Sequence, residues 1–211
     1  MVLNNDADTF SRFTKVSRET ILNLKIYNQK LLESNKYFNL IGKSTEKLIW
    51  VRHFLDSAQV IDLIDKNCKY IADLGTGAGF PGIVLAIMGK DRKMDFKTKL
   101  YEKSAKKKKF LEDLCNELNL NIEIRQNNLL DDKIILNEDI IIARAFKPIQ
   151  TIFDLIHKKG KNWKKIIIFQ GKSGKNEIIR ASKNWDIEYK QRVSITSSDS
   201  TILEIKKIKK K

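Results

Sequence analysis

Apolar residues recur along this chain with two different periods, and the change of period divides it. Over residues 18–35, Ile21, Leu24, Tyr27 and Leu31 return every three or four positions, which predicts an amphipathic helix. Residues 37–42 (Tyr37-Phe38-Asn39-Leu40-Ile41-Gly42) interrupt it. Ser44 then stands where a helix cap belongs, with Lys47 in the place that a capping box gives to Glu or Gln. Leu48, Ile49, Val51, Phe54, Leu55, Ala58, Ile61 and Leu63 keep helical spacing to about Asp65, with a break expected near Trp50. Residues 1–17 are polar, so a frayed end is expected there. These two or three helices form an expected extension, residues 1–66, packed on a core of residues 67–211.

From Ile71 onward, short apolar runs alternate with helical periodicity. Strands are predicted at residues 71–74, 96–102, 122–126, 139–145 and 165–169, followed by a closing pair at 185–193 and 201–208. The fourth runs through Ile140-Ile141-Ile142 without alternation, as in a strand covered on both faces. Helices are predicted after the first strand, over 104–118 with Phe110, Leu111, Leu114 and Leu118 on one face, over 148–157 and over 176–183. Such alternation gives an α/β fold, a mostly parallel, doubly wound sheet of seven strands whose final pair makes an antiparallel edge. Lys209-Lys210-Lys211 reads as a solvated tail.

The stretch Asp73-Leu74-Gly75-Thr76-Gly77-Ala78-Gly79-Phe80-Pro81-Gly82 joins the first strand to its helix. Glycines at alternate positions let a loop take positive φ and expose its amides to a ligand. A dinucleotide would set its pyrophosphate over the following helix, where Asp73 repels it. S-adenosylmethionine carries an amine and a sulfonium and no phosphate, so the same carboxylate attracts it. Gly77, Gly79 and Gly82 satisfy G-x-G-x-x-G one step late, and a nicotinamide-dependent oxidoreductase stays as the second reading.

Charge adds a partner to this picture. The formal net charge is +15, from 41 Lys and Arg against 26 Asp and Glu, which fits a polyanion unless it reflects a lysine-rich composition alone. Lys103 and Lys106 to Lys109 cluster after the second strand, where at most two of four consecutive lysines can share one contact. Cys68 and Cys115 have no disulfide-framework or metal spacing and are expected to be buried thiols, in keeping with a reducing cytoplasm. No apolar run approaches a membrane span, and no metal site or membrane partner is expected.

In a doubly wound sheet ligands collect at the carboxyl ends of the strands. Four loops meet there: the glycine loop, the turn after Glu102, residues 127–132 and residues 144–148. With Arg52-His53-Phe54-Leu55-Asp56-Ser57, these loops resemble the glucose-inhibited division protein B family of small-subunit ribosomal RNA guanine-N7 methyltransferases. Asn35-Lys36, Asn39-Leu40, R-H-x-L-D-S, D-x-G-[ST]-G-x-G-[FL]-P-G, Lys106 through Phe110-Leu111, and Arg144-Ala145-Phe146 occur in family order from about Leu31 to the end. The resemblance implies a class I, Rossmann-like methyltransferase that uses S-adenosyl-L-methionine. Its product would be 7-methylguanine at position 527 of 16S rRNA, its partner that RNA or a small-subunit particle, its location the cytoplasm and its unit a monomer.

Carried over residue by residue, Gly75 and Phe80 would line the methyl-donor pocket beside Asp73, Gly77 and Gly79. Glu102 would take the ribose hydroxyls, the backbone of Leu129 and Leu130 would face adenine, and Arg144 would be the cofactor-side and catalytic arginine. Arg52, His53, Lys106, Lys107, Phe146 and Lys172 are the RNA-side candidates. The chain departs from the family at Asn128, often arginine, at Leu130, often an acid, at Gln170, commonly lysine, and at Ser34, frequently tryptophan. Those departures keep a third reading, a non-catalytic RNA-binding protein on a methyltransferase fold.

Guanine N7 carries no proton, so its methylation needs no general base, and positioning supplies the rate. The polar-Pro-Pro-aromatic loop of adenine-amine enzymes is replaced by Arg144-Ala145-Phe146-Lys147-Pro148, and neither cysteine stands where a cytosine-C5 nucleophile would. For Arg144 the structural alternative is an ion pair with a helix carboxylate. For His53 and Asp56 it is a hydrogen-bonded cluster, and for Phe146 it is core packing.

Overall fold

The computed structural model describes residues 4–131 and 133–211. Seven strands form one sheet: β1 (Tyr70–Leu74), β2 (Lys97–Glu102), β3 (Glu123–Gln126), β4 (Ile140–Arg144), β5 (Lys165–Gln170), β6 (Trp185–Ser194) and β7 (Ser197–Lys210). Their order is β3-β2-β1-β4-β5-β7-β6, with β7 antiparallel to both its neighbours and every other pairing parallel. Strand order reverses between β1 and β4, which opens a crevice at their carboxyl ends.

The helices are α1 (Ala7–Thr14), α2 (Arg18–Asn35), α3 (Asp56–Ala58), α4 (Gly82–Asp91), α5 (Ala105–Glu117), α6 (Ile149–Lys159) and α7 (Gly174–Ala181). The central strands feed two cores. Ile71, Ile140 and Ile142 pack with Leu24 of α2, Val84 of α4 and Leu111 of α5 on one face. Ala72, Ile141 and Ala143 pack with Phe153 of α6 and Ile178 of α7 on the other. The unbroken isoleucine run thus serves both layers, because successive side chains point to opposite faces.

Three expectations are corrected. Of the end expected to fray, residues 1–3 lie outside the described residues and Ala7–Thr14 form α1: the Asp6 side chain accepts from the Thr9 N–H at 2.7 Å as its cap, and Phe10, 1% exposed, sets its ring edge-on to Trp50 at 6.0 Å. Ser44 is no cap, lying inside a 3-10 turn, Lys43–Leu48, that follows Gly42 without a side-chain cap. The helix read through to Asp65 breaks into that turn, a π turn (Trp50–Leu55), α3 and a last 3-10 turn (Ile61–Leu63).

The lysine tail also differs. Lys210 pairs with Trp185 across the β6–β7 ladder, its ammonium 5.8 Å from the indole centroid, and Lys211 donates its backbone N–H to Asn184 O at 3.0 Å. Trp185 needs that cover, since it is 1% exposed at the edge of the second core.

Candidate functional site

The loop after β1 is set by steric fit. Gly75, at φ +67°, lies so close under Phe146 that a Cβ there would stand 2.3 Å from the ring. Gly77, at φ +61°, meets nothing nearer than Gly75 O at 3.9 Å, so its face is open to a ligand. Gly79 packs beneath Tyr27, whose hydroxyl donates to Ala78 O at 2.6 Å.

Asp73 braces this loop from below. Its Oδ2 accepts from the Thr76 hydroxyl at 2.6 Å and from the Gly82 N–H at 2.8 Å, while Oδ1 is buried with no hydrogen-bond partner among the described residues. The residue is 0% exposed, and burial raises its carboxyl to about 6. It therefore does not reach the cavity, which corrects the expectation of a direct charge contact with a ligand. In the β1 register its side chain enters the core beside Leu100, where the following helix begins.

One cavity of about 640 Å³ opens at the carboxyl ends of β1, β2 and β4. Gly75, Gly77, Phe80, Glu102, Leu129, Leu130 and Arg144 all line it, as do His53, Lys107 and Phe146. Gly79, Arg52, Lys106 and Lys172 are not in its wall. Glu102 closes β2 with both oxygens engaged: Oε2 accepts from the Gly77 N–H at 3.1 Å, and Oε1 from the Ser104 N–H at 2.8 Å. Lys172 instead pairs with Asp199 at 3.2 Å. Lys108 and Lys109 pair with Glu112 and Asp113 one turn on, at 2.6 and 2.7 Å, which leaves Lys106 and Lys107 as the lysines of that run turned to other uses.

Arg144 ends β4 in a cage drawn from the π turn and α3. Its Nε stands 3.1 Å from Asp56 Oδ2, its Nη2 donates to Arg52 O at 2.6 Å, and both Nη atoms lie 3.5 Å from His53 Nδ1. The expected alternative, an ion pair with a helix carboxylate, is thus present at the cavity wall itself. Burial pushes the His53 imidazole down to about 3, helped by Arg144 and Arg52, so the ring is neutral at pH 7. A guanidinium only donates, so Nδ1 is the acceptor and Nε2–H points to Thr45 Oγ1, 3.0 Å away.

Aromatic faces complete the wall. Phe80 is sandwiched between Tyr27, 5.2 Å away and 11° from parallel, and His53, 4.9 Å away and 23° from parallel. The Arg144 guanidinium carbon lies 5.8 Å from the same ring.

Sequence reasoning missed what holds Asp56. Its Oδ1 accepts from Gln59 Nε2 at 2.9 Å, Ser194 Oγ at 3.2 Å and Thr196 Oγ1 at 2.8 Å, the last two from the end of β6 and the turn that follows it. Nothing in the local sequence pattern at Asp56 signals partners so distant.

Comparison with known proteins adds the lineage. The family model GidB, described as rRNA small subunit methyltransferase G, matches residues 20–205. The ribosomal RNA small subunit methyltransferase G of Pelagibacter ubique (strain HTCC1062) is 42% identical over 198 residues, covering 93% of this chain and 92% of that protein. Its counterpart from Rickettsia akari (strain Hartford) is 36% identical, covering 93% and 98%. Among solved structures, M. capricolum TrmK in complex with S-adenosyl-homocysteine superposes with TM-score 0.54 at 24% identity, over 72% of this chain and 67% of that one. The PH0226 protein of Pyrococcus horikoshii OT3 reaches TM-score 0.57 at 12% identity, over 82% and 98%, which marks a shared fold. With a family model matching residues 20–205 and its relatives matched over nearly their whole length, the chain belongs to the GidB family, rRNA small subunit methyltransferase G.

Proposed function

We propose that this chain transfers the methyl group of S-adenosylmethionine to N7 of a guanine in 16S rRNA, at position 527. The observation that carries this reading is the convergence of the glycine loop, Glu102 and Arg144 on one cavity in a chain of this family. The cavity fits the cofactor: Gly77 leaves an open face where a Cβ would intrude, and Glu102 keeps lone pairs beyond the two backbone bonds it accepts. Bound there, S-adenosylmethionine supplies an electrophilic methyl on sulfur.

The chain's own residues supply position. Glu102 accepts the ribose hydroxyls at the end of β2, and the backbone of Leu129 and Leu130 faces the adenine. Arg144 is ordered before any ligand arrives, because Asp56, Arg52 O and His53 already fix its plane. His53 is neutral and turned to Arg144, so it does not act as an acid. The acceptor nitrogen brings a lone pair and no proton, and alignment with exclusion of water lowers the barrier.

Lys106 and Lys107, beside the cavity mouth, contact the RNA backbone in this reading, and Arg52 is exposed nearby. In this reading the chain works as a monomer. With Asp73 buried, its charge weighs less against a dinucleotide, and the family match bears the preference over an oxidoreductase. Calorimetric titration is expected to give binding of S-adenosylmethionine and none of NADH. Incubation with 16S rRNA and mass mapping is expected to give 7-methylguanine. Binding of NADH alone, or RNA left unmethylated, overturns the proposal.

A further inference from the structure

Arg144 is only as well placed as the carboxylate beside it, and that carboxylate is held from far along the chain. Asp56 divides its two oxygens. Its Oδ2 stands 3.1 Å from Arg144 Nε, while Oδ1 accepts from Thr196 Oγ1 at 2.8 Å, Gln59 Nε2 at 2.9 Å and Ser194 Oγ at 3.2 Å. The side chains of Asp56 and Arg144 are 14% and 18% exposed, so water has little room to replace these partners.

Gln59 ties α3 to the β6–β7 hairpin. Its Nε2 lies 3.0 Å from Ser194 Oγ, its Oε1 accepts from the Ile195 N–H at 3.0 Å, and its backbone O accepts from Arg192 of β6. Each hydroxyl has one proton to give. Thr196 is the nearer to Oδ1. Ser194 Oγ accepts from the Thr196 N–H at 3.2 Å and lies 2.9 Å from Thr196 Oγ1, so its proton goes to Oδ1 or to Thr196, and on either route the run of donors ends on Asp56.

Bonds on one carboxylate oxygen set the direction of the other. With Oδ1 anchored, the group cannot turn about its own axis, and Oδ2 keeps one line to Nε. Arg52 O, 2.6 Å from Nη2, supplies a second fixed point, and two fixed points determine the plane of a guanidinium. Loosening Oδ1 frees that plane without removing any group from the cavity, because Asp56, Gln59, Ser194 and Thr196 are not in its wall.

We infer that Thr196 and Ser194 are positioning residues for methyl transfer, acting through Asp56 to hold Arg144 in the plane that the reaction uses. This inference rests on the methyltransferase reading and on the place of Arg144 in it, and it adds a dependence of rate on a hairpin outside the cavity.

Thr196→Val keeps the shape of the side chain and removes the hydroxyl. The full-length variant is expected to bind S-adenosylmethionine with the parent stoichiometry and a 16S rRNA fragment with the parent affinity. Single-turnover methylation at saturating cofactor and fragment is expected to fall about tenfold, as when a reacting group is slightly misplaced. Thr196→Ser keeps the hydroxyl and is expected to restore the rate. A second readout needs no turnover: the Arg144 Nε–H resonance is expected to exchange with water severalfold faster in Thr196→Val than in the parent or in Thr196→Ser. A parent rate in Thr196→Val, or Nε–H exchange that it leaves unchanged, overturns the inference while the methyltransferase reading stands. A loss of rate matched by an equal loss of cofactor-binding stoichiometry, or one that Thr196→Ser does not repair, assigns the hydroxyl to the fold and likewise overturns it. A parent protein that leaves the fragment unmethylated overturns both.

Discussion

Arg144 is held by structural contacts at the place where a catalytic role is proposed for it. Its guanidinium is locked by Asp56, Arg52 O and His53, yet it lines the cavity. Arg144→Ala leaves Asp56 with the donors of Gln59, Ser194 and Thr196, so the fold is expected to survive at a cost of about 1–3 kcal/mol. Methylation of rRNA is expected to be lost almost entirely, and a variant with parent-level turnover in a methyl-incorporation assay refutes the catalytic role. Asp73 gives a test of a different kind. Burial raises its carboxyl from 3.8 to about 6, so the folded chain binds a proton more tightly than the unfolded one in that interval. Below 3.8 the carboxyl is neutral in both states and carries no penalty. As pH rises from 3.8 to 6 the penalty grows, and above 6 it is constant at about 3 kcal/mol. Asp73→Asn keeps an oxygen for Thr76 and Gly82 and does not titrate. Urea unfolding from about pH 4 to about pH 7 should therefore show the wild type losing stability relative to the variant, and parallel curves would rule out this carboxyl as the titrating group.

At the scale of elements, the strands were legible because burial is written in composition. Ile140-Ile141-Ile142 serves both cores and reads as a two-faced strand, and the glycine loop is equally local, its spacing carried in ten consecutive residues. What escaped depended on distant partners. The register of β1 turns Asp73 into the core, a matter of which neighbour it faces rather than of its own type. The π turn and α3 place His53 and Asp56 around Arg144, and a uniform helical spacing does not distinguish such a turn from an α-helix. The first helix did leave a trace, Asp6 three residues before Thr9 with Phe10 behind it, masked by its polar surroundings. Because Phe10 fills the space beside Trp50, Phe10→Ala is expected to lower stability by about 3–5 kcal/mol in denaturant unfolding. A drop under about 1 kcal/mol would mean that α1 docks only weakly.

For the molecule as a whole, a charge of +15 favours polyanionic partners, and the proposed RNA contacts at Lys106 and Lys107 are where that attraction is tested. Lys106→Ser with Lys107→Ser is expected to weaken RNA binding and to reduce the slope of log affinity against log salt by about 0.7 for each phosphate no longer neutralised. An unchanged slope in filter binding across salt concentrations would place the RNA track elsewhere. The end of β6 and the turn after it reach back 138 and 140 residues, from Ser194 and Thr196, to Asp56. During synthesis the carboxylate behind Arg144 therefore waits for a hairpin translated long after it. A nascent polypeptide stalled before that hairpin has its glycine loop and its arginine but not the hydroxyls that hold the arginine's carboxylate partner, so that partner is fully braced only once the hairpin has emerged.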